Sequence, residues 1–544
     1  MLIRNFWVIA CALLALGLLG QISSVNAKIA ALPAVAPVVS CASLGEVDLT
    51  SAVGSKVIIH AATEVADDVS HLQRYCRVTG TISRDVNFEV LLPLAGWTQR
   101  YLQTGCGGLC GHTQIIAGKA EGCKPVSDGT IALASDDMGH QGSDAAWGDN
   151  ADQRADFAFR GNHLTALAAK TLINWFYGHP PRYAYFSGCS DGGREALIEA
   201  QRYPSDFDGI AAGAPVLNFT EQDSFHHAWL AKANTGADGK PLLTAIDMQP
   251  LHAAVLAACD SLDGLIDGQI TDPRECHFDP VAIQCPGASY PGKCLTSAQV
   301  AAVRAIYEGA HTTSGKALET SQLMRGSEKE WIGLFVPREA NGGIGSGAMA
   351  LNAINHVLFT PNPHYTIANF PFTEAMFAQE EEARKLYNAD DPNLAPFAGH
   401  GGKLLLWHGW SDSHVGPLGT IDYYERVGRA LGADKRNSFV RLFLFPSMGH
   451  CDGDEGPSEF PLLASLMAWV EGGQVPNVMI ARRHRQNPAN LTPEAQAALA
   501  AMPPSPPRRR PVYAYPVIAR YVGSGSIDDA ASFRPFMPKH IDGP

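Results

Sequence analysis

The sequence predicts an α/β fold, a mainly parallel sheet covered by helices on both sides and interrupted by a large insertion. Short apolar runs alternate with helical periodicity in two separate regions of the 544-residue chain, the pattern of strands joined by crossover helices. Several runs are apolar at every position, as strands buried on both faces require. The stretch between the two regions, about 218–400, carries four cysteines and many glycines and prolines without sustained alternation, and reads as an inserted segment.

In chain order, residues 86–94 (VNFEVLLPL) and 130–135 (TIALAS) read as strands. Residues 164–177 have helical periodicity, ended by Gly178-His179-Pro180-Pro181. An aromatic strand at 183–186 leads through a turn at 188–193 into a helix at 194–203, and 209–216 (GIAAGAPV) reads as the next buried strand. The second region places strands at 403–407 and 441–445 around a helix at 421–431. The expected domains are a sheet-bearing unit of 28–217 and 401–544 and an inserted unit of 218–400. No internal repeat is present.

Composition excludes several classes. Hydrophobic residues make up 46% of the chain, enough for a large core. The net charge is −13 with no long basic stripe, which argues against nucleic acid as a partner. The one basic run, Arg508-Arg509-Arg510, follows a proline-rich stretch and reads as a solvated loop. At the N-terminus, Arg4, the apolar run 6–20 and the small residues of Val25-Asn26-Ala27 read as a secretory signal cleaved after Ala27. No later segment has membrane-spanning length, so the expected location is secreted or periplasmic with no membrane anchor after cleavage. Of twelve cysteines, eleven remain after removal of Cys11, an odd number that leaves at least one thiol unpaired or paired outside the chain.

Gly188-Cys189-Ser190-Asp191-Gly192 fits G-x-S-x-G between a strand and a helix, the setting of a nucleophile elbow and hence of an α/β-hydrolase fold. A serine hydroxyl needs a base to take its proton. In this fold the order along the chain is serine, acid, histidine. Asp412 follows one late strand and His450 the next, whereas His408 precedes the acid and is disfavoured as the base. Cys189 precedes the serine and Cys451 follows the histidine, so a disulfide between them would hold the two loops in register. Acyl transfer also needs oxyanion donors. The N–H of Asp191 is one, and the loop Thr104-Gly105-Cys106-Gly107-Gly108-Leu109 is placed to give the other.

These blocks together, Gly188-Cys189-Ser190-Asp191-Gly192-Gly193-Arg194-Glu195, the His-Gly-x-Ser-Asp segment at 408–412, and Gly449-His450-Cys451, resemble the tannase and feruloyl esterase family, which also contains mono(2-hydroxyethyl) terephthalate hydrolases. The resemblance runs from about Cys41 to the C-terminus. It implies a triad of Ser190, Asp412 and His450, a Cys189–Cys451 disulfide, and oxyanion amides at Gly108 and Asp191. It further implies that the insertion is a lid holding a structural calcium, with Asp260, Asp263 and Asp267 binding through side chains and Leu265 and Gln269 through carbonyls. Three carboxylates among glycines suit a hard cation, although the spacing is not that of an EF-hand. No organic cofactor is expected. Cys259–Cys276, Cys285–Cys294 and Cys41–Cys76 are the further expected pairs, while Cys106, Cys110 and Cys123 depart from any simple pairing. A zinc site on those three lacks a second pair of ligands.

The expected activity is hydrolysis of a small-molecule carboxylic ester of an aromatic acid, and the resemblance points to galloyl or hydroxycinnamoyl esters. Terephthalate monoesters or other small aryl esters are the alternative substrates. The alternatives of another class are an acyltransferase and a non-catalytic calcium-stabilised binding protein. Trp331, Phe335, Phe359 and Tyr365 are the aromatic lid candidates for meeting substrate, although a residue of each kind is more often plain core.

Overall fold

The computed structural model describes residues 28–66, 74–287, 291–453, 455–483 and 508–538. The expected signal segment, 1–27, lies outside the described residues. Nine strands form the main sheet: β1 (Val57–Ala66), β2 (Arg74–Ile82), β3 (Val86–Pro93), β4 (Arg100–Thr104), β5 (Ala132–Asp136), β6 (Tyr183–Cys189), β7 (Gly209–Gly213), β8 (Lys403–Gly409) and β9 (Val440–Phe445). Their order is β1-β2-β3-β5-β4-β6-β7-β8-β9. The first three strands and β5 pair antiparallel. From β5 to β9 every pairing is parallel. This is the α/β-hydrolase arrangement, in which all six parallel strands bring their carboxyl ends to one edge.

The parallel strands read as unbroken apolar runs because helices cover both faces. β7 is buried at all five positions, and β8 at all but its first. The helices Gly161–Tyr177, Asp191–Arg202 and Pro417–Leu431 pack one side of a core that includes Leu172, Leu197, Ile210, Leu404 and Tyr423. The helix Leu462–Gly472 packs the other side with Tyr185, Leu405, Trp407 and Phe443. The Asp191 helix starts three residues earlier than its periodicity predicts, because a single residue, Ser190, makes the turn out of β6.

The segment between β7 and β8 contains helices and isolated bridges but no strand of the sheet among its described residues. It has apolar clusters of its own, one around Leu251, Val303, Trp331 and Phe335, another around Phe225, Ile354 and Phe370. Among the described residues, no helix is long and apolar enough to cross a membrane.

One sequence expectation needs correction. Arg508-Arg509-Arg510 is not a solvated loop: Arg509–Tyr513 is strand β12 of a second sheet with β10 (Pro457–Glu459) and β11 (Val478–Arg483). Arg510 is buried and bonds the Asp267 carboxylate, while Arg508 Nε donates to Asp528 Oδ1 at 3.0 Å. The run is basic because acidic partners distant in sequence meet it. Cys106 and Cys110 form a disulfide and Cys123 is a buried free thiol, which settles the pairing that the sequence left open. Of the aromatic lid candidates, Trp331 and Phe335 take the commoner role and are fully buried in the core of the middle segment. The four expected disulfides, Cys41–Cys76, Cys189–Cys451, Cys259–Cys276 and Cys285–Cys294, are present.

One buried ion pair ties the sheet to its covering helix. Arg100 in β4 donates from Nε to Glu471 Oε1 at 2.7 Å and from Nη2 to Oε2 at 2.6 Å, and the Tyr185 hydroxyl donates to Oε1 at 2.8 Å. Neither side chain reaches solvent, at 1% and 0% exposure. Glu471→Ala strands the Arg100 charge in the core. It is expected to lower the unfolding free energy by about 3–5 kcal/mol, measurable by urea titration.

Candidate active site

Ser190 stands where β6 meets its helix, with φ 65° and ψ −124°. A non-glycine residue at positive φ is strained, and the turn holds because its neighbours are small. A Cβ on Gly188 would lie 2.3 Å from the Gly192 carbonyl oxygen, so only glycine fits there. The turn is pinned from the next strand, where the Ser190 N–H donates to the Gly213 carbonyl at 3.0 Å.

The three residues expected from sequence converge. The Ser190 hydroxyl lies 2.8 Å from His450 Nε2, and His450 Nδ1 lies 2.7 Å from Asp412 Oδ2. An ionised carboxylate only accepts, so Nδ1 carries the proton and Nε2 is free to accept from the serine. Asp412 has no solvent exposure. Its Oδ1 accepts the N–H groups of His414 and Val415, each at 2.9 Å. His408, the histidine disfavoured as base, sits behind the acid. Its Nε2 lies 3.1 Å from Asp412 Oδ2 and 2.8 Å from the Val415 carbonyl, with Nδ1 2.8 Å from the Thr420 hydroxyl. Burial alone would raise the Asp412 carboxyl, but His450 and the donated hydrogen bonds hold it far below the ordinary carboxylate range.

The disulfide Cys189–Cys451 joins the residues flanking the serine and the histidine across 262 positions of sequence. The His414 ring stacks on His450, centroids 4.7 Å apart. Burial, then His450, lowers the His414 pKa to about 4, so that ring is neutral at neutral pH. Burial and the neighbouring histidines likewise push His227 well below its usual value. Neither residue carries a local motif, so sequence reasoning missed both.

The glycine-rich loop after β4 lies against the nucleophile helix. Cys106–Cys110 closes it, Gly108 has φ 61°, and the Cys106 N–H donates to Glu195 Oε1 at 3.3 Å. Glu195 is buried on the same helix and accepts from Asn162 Nδ2 at 2.8 Å. Burial, followed by the Asp191 and Asp136 charges, raises its carboxyl well above normal. The Asp191 side chain is turned into the fold, where Arg194 Nε donates to Oδ1 at 2.6 Å and Nη2 to Oδ2 at 2.9 Å. Among the described residues, the N–H groups of Gly108 and Asp191 donate to no protein acceptor.

Ser190 and Gly108 line a cleft of about 370 Å³, whose opposite wall comes from the segment between β7 and β8 through Gln222, Asp223, His227, Met349 and Asn352. Phe359 and Tyr365 do not line it. A larger cavity of about 680 Å³ lies against the Cys189–Cys451 disulfide beside Trp407 and Phe460. Ser190 does not line that cavity, so the smaller cleft is where a reacting group would sit.

The expected metal ligands lie in the loop closed by Cys259–Cys276. Asp260 accepts the N–H groups of Asp267 (3.2 Å) and Gly268 (2.9 Å), Asp263 accepts the Leu265 N–H at 2.9 Å, and Asp267 accepts the Gln269 N–H at 3.2 Å. Burial pushes the Asp263 carboxyl up to about 6, and the Asp267 and Asp260 charges add to this. Carboxylate chemistry and loop closure fit a hard cation. However, Arg510 already bonds Asp267, and the three carboxylates do not form a group with ligand atoms all within 4.8 Å of one another.

Comparison with known proteins agrees with this geometry. Residues 70–535 match the family described as Tannase and feruloyl esterase. The chain is 31% identical over 531 residues to mono(2-hydroxyethyl) terephthalate hydrolase of Piscinibacter sakaiensis, covering 85% of each chain. It is 30% identical to feruloyl esterase B of Aspergillus niger, covering 74% of this chain and 78% of that protein. The crystal structure of feruloyl esterase B from Aspergillus oryzae superposes with a TM-score of 0.75 at 25% identity, over 91% of this chain and all of that one. The tannin acyl hydrolase from Aspergillus niger shares the fold, with a TM-score of 0.69 at 22% identity over 89% and 91% of the two chains. With a sheet that carries serine, histidine and aspartate to one cleft and a match over most of its length, this chain belongs to the tannase and feruloyl esterase family and is a carboxylic ester hydrolase.

Proposed function

We propose that the protein is a secreted serine esterase that cleaves small esters of aromatic acids through an acyl-enzyme on Ser190. The observation that carries this reading is the unbroken hydrogen-bond chain from Ser190 through His450 to Asp412 at the cleft. As Ser190 Oγ attacks the ester carbonyl, its proton passes to His450 Nε2, and Asp412 stabilises the imidazolium. The N–H groups of Gly108 and Asp191 receive the oxyanion. His450 returns the proton to the departing alkoxide, so the alcohol leaves. Water then repeats the sequence on the acyl-enzyme and releases the acid. His408 and the two backbone donors act through Asp412 and position it.

The aromatic acid is supported by the relatives, since both feruloyl esters and mono(2-hydroxyethyl) terephthalate are esters of aromatic acids. The first of these relatives also favours a second reading, a terephthalate monoester as substrate. Residues 28–217 and 401–544 form the catalytic domain in this reading, and 218–400 is a lid. Its separate apolar clusters and its contribution to the cleft wall support that division. Five disulfides support an exported protein, because such bonds persist in oxidising compartments. Calcium would be held by the side chains of Asp260, Asp263 and Asp267 and the carbonyls of Leu265 and Gln269. Its contribution would be stability of the lid, and no chemical step passes through it.

Ser190→Ala is expected to lower kcat by about 10⁶-fold and Asp412→Asn by about 10⁴-fold, read on a panel of methyl gallate, methyl ferulate and mono(2-hydroxyethyl) terephthalate. Full activity in Ser190→Ala would overturn the mechanism. Mass spectrometry of the quenched enzyme should find the acyl group on the serine. Transfer to added alcohols in preference to water would make the protein an acyltransferase, and no turnover at all would leave a binding protein.

Calcium at 100 times its Kd should stabilise the native state by about 2.7 kcal/mol. Thermal unfolding with chelator, then with calcium restored, measures this. An unchanged Tm would mean that Arg510 neutralises the loop without a metal.

A further inference from the structure

The cleft contains one charged side chain that the ester chemistry leaves unused. Asp223 lies in the π-helical turn Gln222–His226 and lines the same cleft as Ser190. Single π-helical turns recur at functional sites. Among the described residues, the Asp223 carboxylate makes no hydrogen bond and no ion pair. Burial pushes its carboxyl up to about 7, and the Asp191 charge adds to this, opposed by Arg194 and His226. Those two cations are committed elsewhere. Arg194 bonds Asp191 and the carbonyls of Ala158 and Phe157. His226 Nδ1 bonds Glu319 Oε2.

The rest of the wall sets what could meet this group. Leu109, Val216, Met349 and Val415 provide apolar surface for a ring. No lysine or arginine lines the cleft, and Asp191, the other acid on its wall, is tied to Arg194. A carboxylate in such a setting needs a hydrogen-bond donor from the ligand, and a phenolic hydroxyl is a donor that gives a short, charge-assisted bond. A second carboxylate brought beside it would meet like-charge repulsion with no lysine or arginine of the cleft wall to offset it.

We propose that Asp223 is the specificity-determining residue for the acid half of the substrate, accepting a hydrogen bond from a ring hydroxyl of a phenolic acid and turning away acids that carry a carboxylate on the ring. The proposal rests on the reading of this cleft as the site of an aromatic ester, and it decides between the two substrate readings given above in favour of the phenolic one.

The test compares kcat/KM for methyl 3,4-dihydroxybenzoate, methyl benzoate and monomethyl terephthalate in the wild type, Asp223→Asn and Asp223→Ser. The wild type should rank them in that order. Asp223→Asn should lower the ratio of the dihydroxy ester to methyl benzoate by about tenfold and raise the ratio of monomethyl terephthalate to methyl benzoate by a similar factor. Ratios that stay within about twofold in both variants, or a wild type that prefers monomethyl terephthalate, overturn the proposal. A measurement on the wild type alone stands beside these. Inhibition by 3,4-dihydroxybenzamide should exceed that by benzamide, and equal inhibition overturns the proposal even where a variant does not fold. A wild type that hydrolyses p-nitrophenyl acetate but none of the three aromatic esters overturns the underlying aromatic-ester reading and this inference with it. Aromatic turnover with unmoved ratios overturns the Asp223 assignment alone.

Discussion

Ser190 and His450 are separated by 260 positions of sequence and 2.8 Å of space, and the site depends on keeping that contact. The parallel sheet does most of this. β6, β8 and β9 point the same way, so the residues just past their ends meet at one edge. The Cys189–Cys451 bond then links the two loops directly beside the reacting atoms. By loop-closure entropy a link of that span removes roughly 5 kcal/mol of freedom from the unfolded chain. Its greater effect is local: a serine held at φ 65° and a histidine on a loop have few other constraints on their separation. Placement to within a few tenths of an ångström is what converts proximity into rate.

Two buried acids near this contact show how hydrogen-bond donors decide charge. Asp412 and Glu195 are both shut off from solvent, at 0% and 2% exposure. Asp412 receives bonds from two imidazoles and two backbone N–H groups, and its carboxyl is held far below normal. Glu195 receives the Asn162 amide and the weak Cys106 N–H, faces the Asp191 and Asp136 charges, and is pushed well above normal. One acid is therefore a fixed negative charge behind the histidine. The other is pushed toward its protonated form beneath the glycine-rich loop, where a carboxylate would work against an oxyanion. The contrast follows from the hydrogen-bond donors and neighbouring charges that each acid meets, not from burial, which both share.

These differences explain which features were legible in the sequence. The elbow, its strand and its helix could be read because glycine spacing, an apolar run and helical periodicity are all local. Asp412 and His450 could be read because each follows a buried strand. β4 (RYLQT) is only five residues and buried throughout, so it has no alternation to detect. Arg508-Arg509-Arg510 misled because a charge run gives no sign of the Asp267 and Asp528 that meet it in the fold. His414, His227 and Asp223 lie in segments with no periodicity of their own, and only the fold brings them to the cleft. Trp331 and Phe335 lie in the core of the middle segment, the commoner role for a large apolar ring.

The division of labour between the two parts of the chain follows from where their bonds run. The acid loop is stitched to the middle segment by Ser413 Oγ donating to the Glu330 carbonyl at 2.8 Å and Ser411 Oγ donating to the Gly326 carbonyl at 3.1 Å. Gln222 adds a bond to the His414 carbonyl. All three use backbone carbonyls on the accepting side, so the stitching tolerates changes of the accepting residues' side chains. The acceptors of the triad itself, by contrast, are side chains with no substitute. A fold built this way can change residues of the cleft wall such as Asp223 or Met349 without moving the serine, histidine and aspartate. Loops on a rigid scaffold vary for this reason. Relatives of similar identity can then carry the same chemistry to a feruloyl ester in one case and a terephthalate ester in another. On this chain the proposal places that choice at the Asp223 carboxyl, which lines the cleft without a partner among the described residues.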